Sequence, residues 1–365
     1  MQTAYQTEEK QAQIFENLSR QNYEQLVFCQ DKVTGLKAII AIHNTVLGPG
    51  LGGTRMYDYA SEQDAITDVL RLARGMTYKA SISNLNLGGA KAVIMGDPAK
   101  LKSEALFRRF GRFIDSLAGR YITAEDVGTT TKDMEHVHME TDHVVGLPEN
   151  LGGGGDPSPV TAYGTYLGMK ACAKEAYGND SLAGKKILVE GVGKVGRHLV
   201  DYLAKENAQI LITDVNQSVL ESVAKDYGAT IVPSEDALST PMDIYSPCAL
   251  GATINDESLN ILNCSIIAGA ANNQLKDEDI HAKRLQEKGV LYAPDYLINA
   301  GGLINVYTEY NGYNYDTAIG RAETIYDTTV NILKRSAESN ISTHEAANII
   351  AEERINTIGK IHQNF

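Results

Sequence analysis

Two lysines and one aspartate in the first half of the chain lie beside glycine residues or at the ends of apolar runs. Lys91 lies in GGAKAVI, Lys79 in GMTYKAS and Asp126 in TAEDVG. A lysine at the mouth of a buried strand loses hydration, and this desolvation lowers its pKa. Such a lysine could act as a base near neutral pH, while a second, charged lysine holds a carboxylate and the aspartate exchanges a proton with nitrogen. Oxidation of an amino acid to an imine and then to a keto acid requires these three roles.

The second half of the chain carries a glycine pattern typical of dinucleotide binding. Gly191, Gly193 and Gly196 lie in GVGKVG, between the strand predicted at 186–190 and a helix. The first glycine would form the tight turn, the second would let the backbone approach the pyrophosphate, and the third would let the helix pack on the strand. Asp214 ends the next strand, where it would accept hydrogen bonds from the adenosine ribose, and VNQSV after it offers no cation for a 2′-phosphate. The sequence therefore predicts NAD rather than NADP, bound by Gly191, Val192, Gly193, Lys194, Val195, Gly196 and Asp214.

The elements that must position these groups divide the chain into two predicted domains. Residues 1–147 mix strands and helices, whereas residues 148–341 alternate short apolar strands with helices, which indicates a doubly wound parallel sheet. The glycine- and proline-rich segment at 147–160 predicts the mouth of an interdomain cleft. A last helix over 342–365 is expected to pack on the first domain. The predicted fold class is therefore α/β, with an N-terminal mixed-sheet substrate-binding and oligomerisation domain and a C-terminal Rossmann domain separated by a cleft. The elements predicted in the first domain are strands at 26–30 and 36–43 and helices from Ser61 to Gly75 and from Ser103 to about Gly119.

Charge and composition exclude several classes of function. The formal net charge of −13 would repel nucleic acid and anionic membranes. The N-terminus lacks the pattern of a signal peptide, and no apolar run approaches the ~20 residues that span a bilayer. The four cysteines are scattered, so we expect reduced thiols in a cytoplasmic protein. HExxH and Cys/His ligand spacings do not occur in the sequence, and no metal site is predicted.

Long motifs run through nearly the whole chain and carry a resemblance. They are GPGLGGTRM (48–56), RLARGMTYKAS (71–81), LNLGGAKAVI (85–94), YITAEDVGTT (121–130), GDPSPVTAYG (155–164), GVGKVG (191–196), PCALGAT, GAANNQ and APDYLINAGGLINV (293–306). Together they resemble the leucine dehydrogenase branch of the glutamate/leucine/phenylalanine/valine dehydrogenase superfamily. The resemblance implies reversible oxidative deamination of L-leucine, isoleucine and valine to the branched-chain 2-oxo acid, ammonia and NADH. It also implies a homo-oligomer, since octamers are common in this branch.

The resemblance further implies a role for each site residue. Lys91 would activate the water that attacks the iminium carbon, Lys79 would bind the substrate carboxylate, and Asp126 would carry protons to and from the amino group. The backbone at Gly52 and Gly53 would close the carboxylate pocket. Residues implied in substrate specificity are Leu51, Met76, Ala124, Val145, Leu303 and Val306. Residues implied in cofactor contact are Thr161, Cys248, Ala249 and Asn273, with Asn272 as an alternative to Asn273.

The implied specificity pocket is uncharged, and this property decides which substrates we expect. The second carboxylate of glutamate would be buried without a partner at a cost of several kcal/mol, so glutamate should be rejected. Leu303 and Val145 depart from the valine and threonine that are frequent in relatives. One methylene is worth only ~1–3 kcal/mol, so the ranking of leucine, isoleucine and valine stays open.

Three other functions compete with this prediction. A preference for phenylalanine is the nearest alternative. A catalytically inactive NAD-binding sensor or scaffold predicts the loss of Lys79, Lys91 or Asp126, and all three are present. A Rossmann enzyme that oxidises a hydroxy acid would require a histidine-centred base, and no histidine lies in a comparable motif.

Overall fold

A computed structural model describes residues 14–310 and 312–362, and the contacts among them define two units. The first unit comprises the described residues through Thr77 together with Leu87–Val144. The second comprises Tyr78–Asn86 together with the described residues from Val145 onwards. The domain division predicted at 147–148 stays a prediction about independently folding parts, and its residues 1–13 and 363–365 lie outside the described residues.

The first unit is built on a mixed sheet with a buried central strand. Its strands are β1 (Gln25–Asp31), β2 (Leu36–Asn44), β3 (Gly50–Leu51), β4 (Thr54–Tyr57), β5 (Gly88–Met95) and β6 (Tyr121–Ile122). The order along the sheet is β1-β2-β5-β3-β6, and β4 also pairs with β5. β1 and β2 pair with their neighbours antiparallel, whereas β3 and β4 run parallel to β5. The mixed sheet predicted for this part of the chain is confirmed.

The helices of the first unit differ from the prediction at one glycine. They are α1 (Ile14–Arg20), α2 (Glu62–Ile82), α3 (Pro98–Leu101), α4 (Glu104–Asp115) and α5 (Thr131–His138). The part of α2 after Thr77 belongs to the second unit. The prediction that the second of these helices ends at Gly75 is wrong, because α2 continues to Ile82. Glycine within a helix costs about 1 kcal/mol. That cost is outweighed here because Thr77, Ala80 and Ile82 beyond it are each no more than 2% exposed, and their burial stabilises the last turns.

The second unit contains a sheet in which all six paired strands are parallel. Its strands are β7 (Lys186–Glu190), β8 (Gln209–Thr213), β9 (Thr230–Ile231), β10 (Ile244–Pro247), β11 (Ile266–Ile267) and β12 (Leu291–Tyr292). The order is β12-β11-β10-β7-β8-β9. The chain therefore passes from β7 outward through β8 and β9, and then crosses to the other side of β7 to form β10. This reversal of strand order confirms the predicted Rossmann domain.

Helices cover the second sheet and end the chain. They are α6 (Ser158–Tyr177), α7 (Lys194–Lys205), α8 (Gln217–Tyr227), α9 (Ser258–Ile261), α10 (Glu278–Glu287), α11 (Asp295–Ile298), α12 (Gly301–Tyr310), α13 (Tyr315–Ser339) and α14 (Thr343–His362). The final helix, α14, contacts α10, α13 and β12, and it also contacts residues 78–86 through Ser81 and Arg354. Among the helices in the described part of the chain, none has the length and apolar character needed to span a bilayer.

Candidate active site

Lys91 is held within the central strand of the first sheet. β5 pairs with β2 on one side, where Ala41 faces Lys91, and with β4 on the other. The Lys91 side chain is only 8% exposed. The glycine before Ala90 is required by packing within the protein, since a Cβ on Gly89 would lie 2.1 Å from the backbone N and Oγ1 of Thr77 in α2. The close approach of α2 to β5 therefore fixes the backbone on which Lys91 is carried.

Asp126 lies beyond β6 and pairs directly with Lys91. The Lys91 Nζ lies 3.0 Å from Asp126 Oδ2. The same carboxylate oxygen accepts a hydrogen bond from Arg55 Nε at 3.2 Å. The backbone N–H of Asp126 donates to Thr129 Oγ1 at 2.9 Å, which fixes the loop. The structure thus brings together two of the polar residues that the sequence singles out, and adds a third, Arg55.

Burial and charge set the ionisation of this pair. Burial lowers the pKa of Lys91 below its ordinary value, because the ammonium form loses hydration, and the negative charge of Asp126 opposes this effect only in part. Burial would raise the pKa of Asp126, but the positive charges of Lys91 and Arg55 outweigh it and hold that pKa below its ordinary value. The arrangement is a lysine biased toward the neutral amine beside a carboxylate that stays ionised, which is suited to proton transfer.

The glycines at 52 and 53 let the segment after β3 lie against its neighbours. A Cβ on Gly52 would lie 1.8 Å from Ala90 O and 3.2 Å from Met76 Cγ. A Cβ on Gly53 would lie 2.4 Å from Glu125 O. The backbone N–H of Gly52 donates to Ile122 O at 3.1 Å, so it is engaged within the protein. The implied substrate-pocket residues of this unit are buried or half-buried, and they are Leu51, Met76 and Ala124.

Lys79 lies on the last turn of α2, within the second unit. Its Nζ donates to Asn299 Oδ1 at 2.7 Å. Asn299 is 5% exposed, and its Nδ2 donates to Ala270 O at 3.2 Å and to Asn272 Oδ1 at 2.8 Å. One buried amide therefore connects Lys79 to the GAANNQ loop. Asn299 follows α11 and precedes Ala300 and Gly301, and sequence reasoning missed it although it lies inside the quoted motif APDYLINAGG.

The turn from β7 to α7 has the shape that a dinucleotide requires. Gly191 adopts φ +93°, and a Cβ on it would lie 2.5 Å from the Cβ of Ala249 in the loop after β10. A Cβ on Gly196 would lie 2.0 Å from Gly191 O, so only glycine lets α7 begin so close to the turn. A Cβ on Gly193 would meet no atom within 4 Å, which leaves the N-terminus of α7 open to a pyrophosphate. These residues therefore fit a dinucleotide at the switch point between β7 and β10.

Asp214 follows β8 at the same edge of the sheet. Its Oδ2 accepts a hydrogen bond from Val192 N at 2.8 Å, and its Oδ1 accepts one from Asn216 N at 2.9 Å. Each carboxylate oxygen retains acceptor capacity beyond these bonds, and the residue is half-exposed, so ribose hydroxyls could still bind there. The next residue, Val215, is 99% exposed. The Lys194 side chain is 79% exposed, and its Nζ lies 3.5 Å from Asp156 Oδ2.

The other implied cofactor contacts lie in the second unit. Thr161 is in the first turn of α6, where its backbone N would lie 2.3 Å from a Cβ on Gly301. The N–H of Cys248 donates to Glu190 O at 2.7 Å, and Ala249 follows it. Asn273 adopts φ +52°, and its carbonyl accepts from Ala252 N at 2.7 Å. The Asn272 side chain is bound to Asn299, so the two asparagines have different surroundings, but the choice between them as cofactor contact stays a prediction.

The remaining implied pocket residues are apolar and belong to the second unit. Val145 is 2% exposed, Leu303 on α12 is 5% exposed, and Val306 on the same helix is half-buried. The Glu309 carboxylate on α12 accepts hydrogen bonds from Leu147 N at 3.1 Å and Gly154 N at 3.2 Å. It thereby fixes the start and the middle of the glycine-rich segment to this helix.

A Rossmann unit whose β7–α7 turn fits a dinucleotide and a unit in which a buried lysine pairs with an aspartate define the class, a dinucleotide-dependent oxidoreductase. Residues 23–143 match the family described as Glu/Leu/Phe/Val dehydrogenase, dimerisation domain, and residues 210–362 match Glutamate/Leucine/Phenylalanine/Valine dehydrogenase. The chain belongs to the Glu/Leu/Phe/Val dehydrogenase family. It is therefore an amino acid dehydrogenase.

Relatives match almost the full length of the chain. The chain is 56% identical over 343 residues to a leucine dehydrogenase from Bacillus cereus, with 94% of this chain and 93% of the relative covered. It is 53% identical over 353 residues to a leucine dehydrogenase from Bacillus subtilis, with 97% of each covered. The crystal structure of L-tryptophan dehydrogenase from Nostoc punctiforme superposes with a TM-score of 0.87 at 43% identity, covering 94% of this chain and 99% of that chain.

Proposed function

We propose that this protein catalyses the reversible, NAD-dependent oxidative deamination of L-leucine, isoleucine and valine to their 2-oxo acids and ammonia. The observation that carries the proposal is the pair of buried Lys91 and half-buried Asp126, whose Nζ and Oδ2 atoms are 3.0 Å apart. An inactive binding protein would have no need to keep a desolvated lysine beside an ionised carboxylate, because burying charges is unfavourable without a compensating role.

Each polar residue has a distinct task in this reaction. Lys91, biased toward the neutral amine, removes a proton from the water that attacks the iminium carbon and returns it during the loss of ammonia. Asp126, held ionised, exchanges protons with the substrate nitrogen. Lys79 binds the substrate carboxylate as a point charge, with Asn299 directing its ammonium group. Gly52 and Gly53 contribute by their lack of side chains, which keeps the backbone close to Met76 and Asp126.

NAD is the proposed cofactor, and when bound it would supply the acceptor for the hydride that leaves the substrate Cα. Gly191, Gly193 and Gly196 give its pyrophosphate access to the N-terminus of α7. Asp214 binds the adenosine ribose hydroxyls and would repel a 2′-phosphate. Thr161, Cys248, Ala249 and Asn273, with Asn272 as the alternative to Asn273, are the further proposed contacts. Val192, Lys194 and Val195 complete the turn.

The lack of charge in the proposed substrate pocket supports the assignment of a branched-chain substrate. The six proposed pocket residues carry no charge and are buried or half-buried, and they are Leu51, Met76, Ala124, Val145, Leu303 and Val306. A second carboxylate would find no partner among them. The matched structure is named L-tryptophan dehydrogenase, so we take aromatic amino acids as the competing substrate class.

We also propose that the enzyme works as a homo-oligomer, an octamer by its resemblance to the leucine dehydrogenases, in the cytoplasm. The matched family description assigns dimerisation to residues 23–143. All four cysteines are unpaired thiols, as is usual in a reducing compartment.

The test is NADH formation with L-leucine, isoleucine, valine, phenylalanine, tryptophan and glutamate, each with NAD and with NADP. We expect the highest kcat/KM for a branched-chain amino acid with NAD. Lys91→Ala should lower kcat at least about 100-fold, because general acid–base catalysis supplies that order of acceleration. Lys37→Ala, which removes an exposed lysine from the neighbouring strand β2, is the matched control and should retain wild-type turnover.

Two results would contradict the proposal in different ways. Wild-type turnover by Lys91→Ala would remove Lys91 from the mechanism. A higher kcat/KM for phenylalanine or tryptophan than for leucine would leave the reaction intact and overturn the substrate assignment.

A further inference from the structure

Arg55 on β4 connects the Asp126 carboxylate to a second carboxylate on another element. Its Nε donates to Asp126 Oδ2 at 3.2 Å, and its Nη1 donates to Asp68 Oδ2 at 2.9 Å. Asp68 lies on α2. The side chains of Arg55 and Asp126 are each 22% exposed and that of Asp68 is 18% exposed, so water screens these ion pairs only in part.

The second carboxylate is itself held in place. Asp68 Oδ2 accepts a hydrogen bond from the Tyr59 hydroxyl at 2.8 Å, and Asp68 Oδ1 lies 3.1 Å from Arg71 Nη2. Arg55 is therefore anchored to a fixed carboxylate at one end while its Nε reaches the proposed proton-transfer group at the other. This arrangement gives the guanidinium group a single orientation.

We propose that Arg55 is a positioning residue for the reaction, which orients the Asp126 carboxylate and keeps it ionised, with Asp68 as its anchor. The inference rests on the proposed function, because it concerns the pH dependence and turnover of that reaction. Arg55 and Lys91 share Oδ2, so together they fix the rotation of the carboxylate about its Cβ–Cγ bond.

An arginine is suited to this task and a lysine is not. The planar guanidinium group presents several N–H donors in a fixed geometry, so Nε and Nη1 can each serve a different carboxylate. A lysine ammonium is a point charge on a flexible stem. Lysine at position 55 would preserve the charge near Asp126 while losing the orientation, which allows the two contributions to be measured separately.

The charges around the pair determine how the loss of Arg55 would change the pH profile. The groups that face Asp126 and Lys91 are Arg55, Asp68 and Tyr59, with Arg71 behind Asp68. Burial raises the pKa of Asp126, and Lys91 and Arg55 lower it. Burial lowers the pKa of Lys91, and Arg55 lowers it further, against the charges of Asp126 and Asp68. Removal of the guanidinium charge should therefore raise both pKa values.

The experiment measures kcat and kcat/KM against pH for wild type, Arg55→Gln, Arg55→Lys and Arg112→Gln. For Arg55→Gln we expect the acidic limb of the kcat/KM profile, where Lys91 and Asp126 must be deprotonated, to move to higher pH by about one unit, the order expected for one nearby charge. Its kcat should fall about 10- to 100-fold, with a smaller change in KM, because the carboxylate is misoriented. Arg55→Lys should keep the acidic limb near its wild-type position while kcat still falls.

Arg112→Gln is the matched control, since it also removes an arginine that pairs with a carboxylate, here Glu140, and its own side chain is 67% exposed. It should keep the wild-type profile and kcat. If Arg55→Gln does not fold, the double variant Arg55→Gln/Asp68→Asn, which removes the ion pair as a whole, takes its place with the same expected fall in kcat. Its pH shift should be smaller, because the Asp68 charge that raises the pKa of Lys91 is removed as well. Thermal unfolding of each variant verifies the fold.

The inference is overturned if Arg55→Gln, or the double variant, keeps the acidic limb and kcat, or if Arg112→Gln changes them equally. These outcomes differ from a failure of the proposed function. In that case wild type itself would form no NADH from any amino acid, and the inference about Arg55 would fall with it.

Discussion

At the scale of single residues, His43 shows how burial controls ionisation away from the catalytic pair. It lies on β2 and is 7% exposed. Its Nε2 faces the carbonyl of Gln21 at 3.1 Å, which can only accept, so Nε2 carries the proton and Nδ1 accepts from the Thr77 hydroxyl at 2.7 Å. The ring also packs edge-on against Tyr23. Burial lowers the pKa of His43 to about 4, although the hydrogen bond to Gln21 opposes this.

The lowered pKa predicts a loss of stability in mild acid. The pKa of His43 falls from 6.5 in the unfolded chain to about 4 in the folded protein, so the unfolded state takes up the proton first. The stabilisation is complete above pH 6.5 and is lost progressively as the pH falls toward 4, by about 3 kcal/mol in total. Denaturant unfolding at about pH 7 and pH 5 should show a smaller loss for His43→Gln than for wild type. His198→Gln, at an exposed position, is the control, and equal losses in all three proteins would refute this account.

At the scale of elements, the turn between β7 and α7 separates two functions of glycine. Gly196 is required for packing, because its Cβ would meet Gly191 O at 2.0 Å. Gly193 has open space around it and an ordinary φ of −66°, so a side chain there would leave the fold intact. The same motif thus contains one glycine that packing requires, Gly196, and one that leaves space for a ligand, Gly193.

This difference predicts opposite outcomes for two alanine substitutions. Gly196→Ala should lower the free energy of unfolding by roughly 1–3 kcal/mol through overpacking and should also weaken cofactor binding. Gly193→Ala should keep wild-type stability and raise the Kd for NAD at least about tenfold. Thermal unfolding and a titration with NAD, followed by intrinsic tyrosine fluorescence, measure the two properties. The prediction is wrong if Gly193→Ala binds NAD like wild type or if Gly196→Ala is fully stable.

At the scale of the whole molecule, the chain passes between the two units at 77–78, 86–87 and 144–145. The short segment Tyr78–Asn86 carries Lys79 and is held by the last helix of the chain. Arg354 on α14 donates to Leu85 O at 2.8 Å and to Asn86 Oδ1 at 2.9 Å. The Ser81 hydroxyl donates to Ala351 O at 2.8 Å. Residues near the C-terminus therefore fix the end of a helix that begins at Glu62.

The contacts of Arg354 predict that a remote substitution weakens substrate binding. Arg354→Met removes a half-buried donor from three acceptors, Ser81 O, Leu85 O and Asn86 Oδ1, which should cost about 2–3 kcal/mol of stability. It should also raise KM for leucine more than it lowers kcat, because Lys79 lies on the segment that loosens. Arg335→Met, which breaks an exposed pair with Glu353, is the matched control and should change stability by less than about 1 kcal/mol. Equal effects of the two substitutions on unfolding and KM would contradict the assignment.

The sequence by itself determined the features that depend on local pattern. Alternating apolar strands and helices predicted the parallel sheet of the second unit, and the glycine spacing predicted the turn at Gly191. Both patterns depend on residues that are close together in the sequence. Lys91 and Asp126 could be selected because each lies in a distinctive motif. Hydrophobic periodicity specifies which face of an element is buried, so these parts of the fold and site were accessible without coordinates.

Only the tertiary structure decided which distant residues meet. The sequence predicted a helix end at Gly75 because the cost of glycine within a helix is visible in the sequence. The burial of Thr77, which outweighs this cost, is visible only in the structure. Arg55 and Asn299 were missed because their partners, Asp126 and Lys79, lie far along the chain. Hydrogen bonds and ion pairs between such residues form only when the packing of whole elements brings them together, and no local pattern encodes that approach.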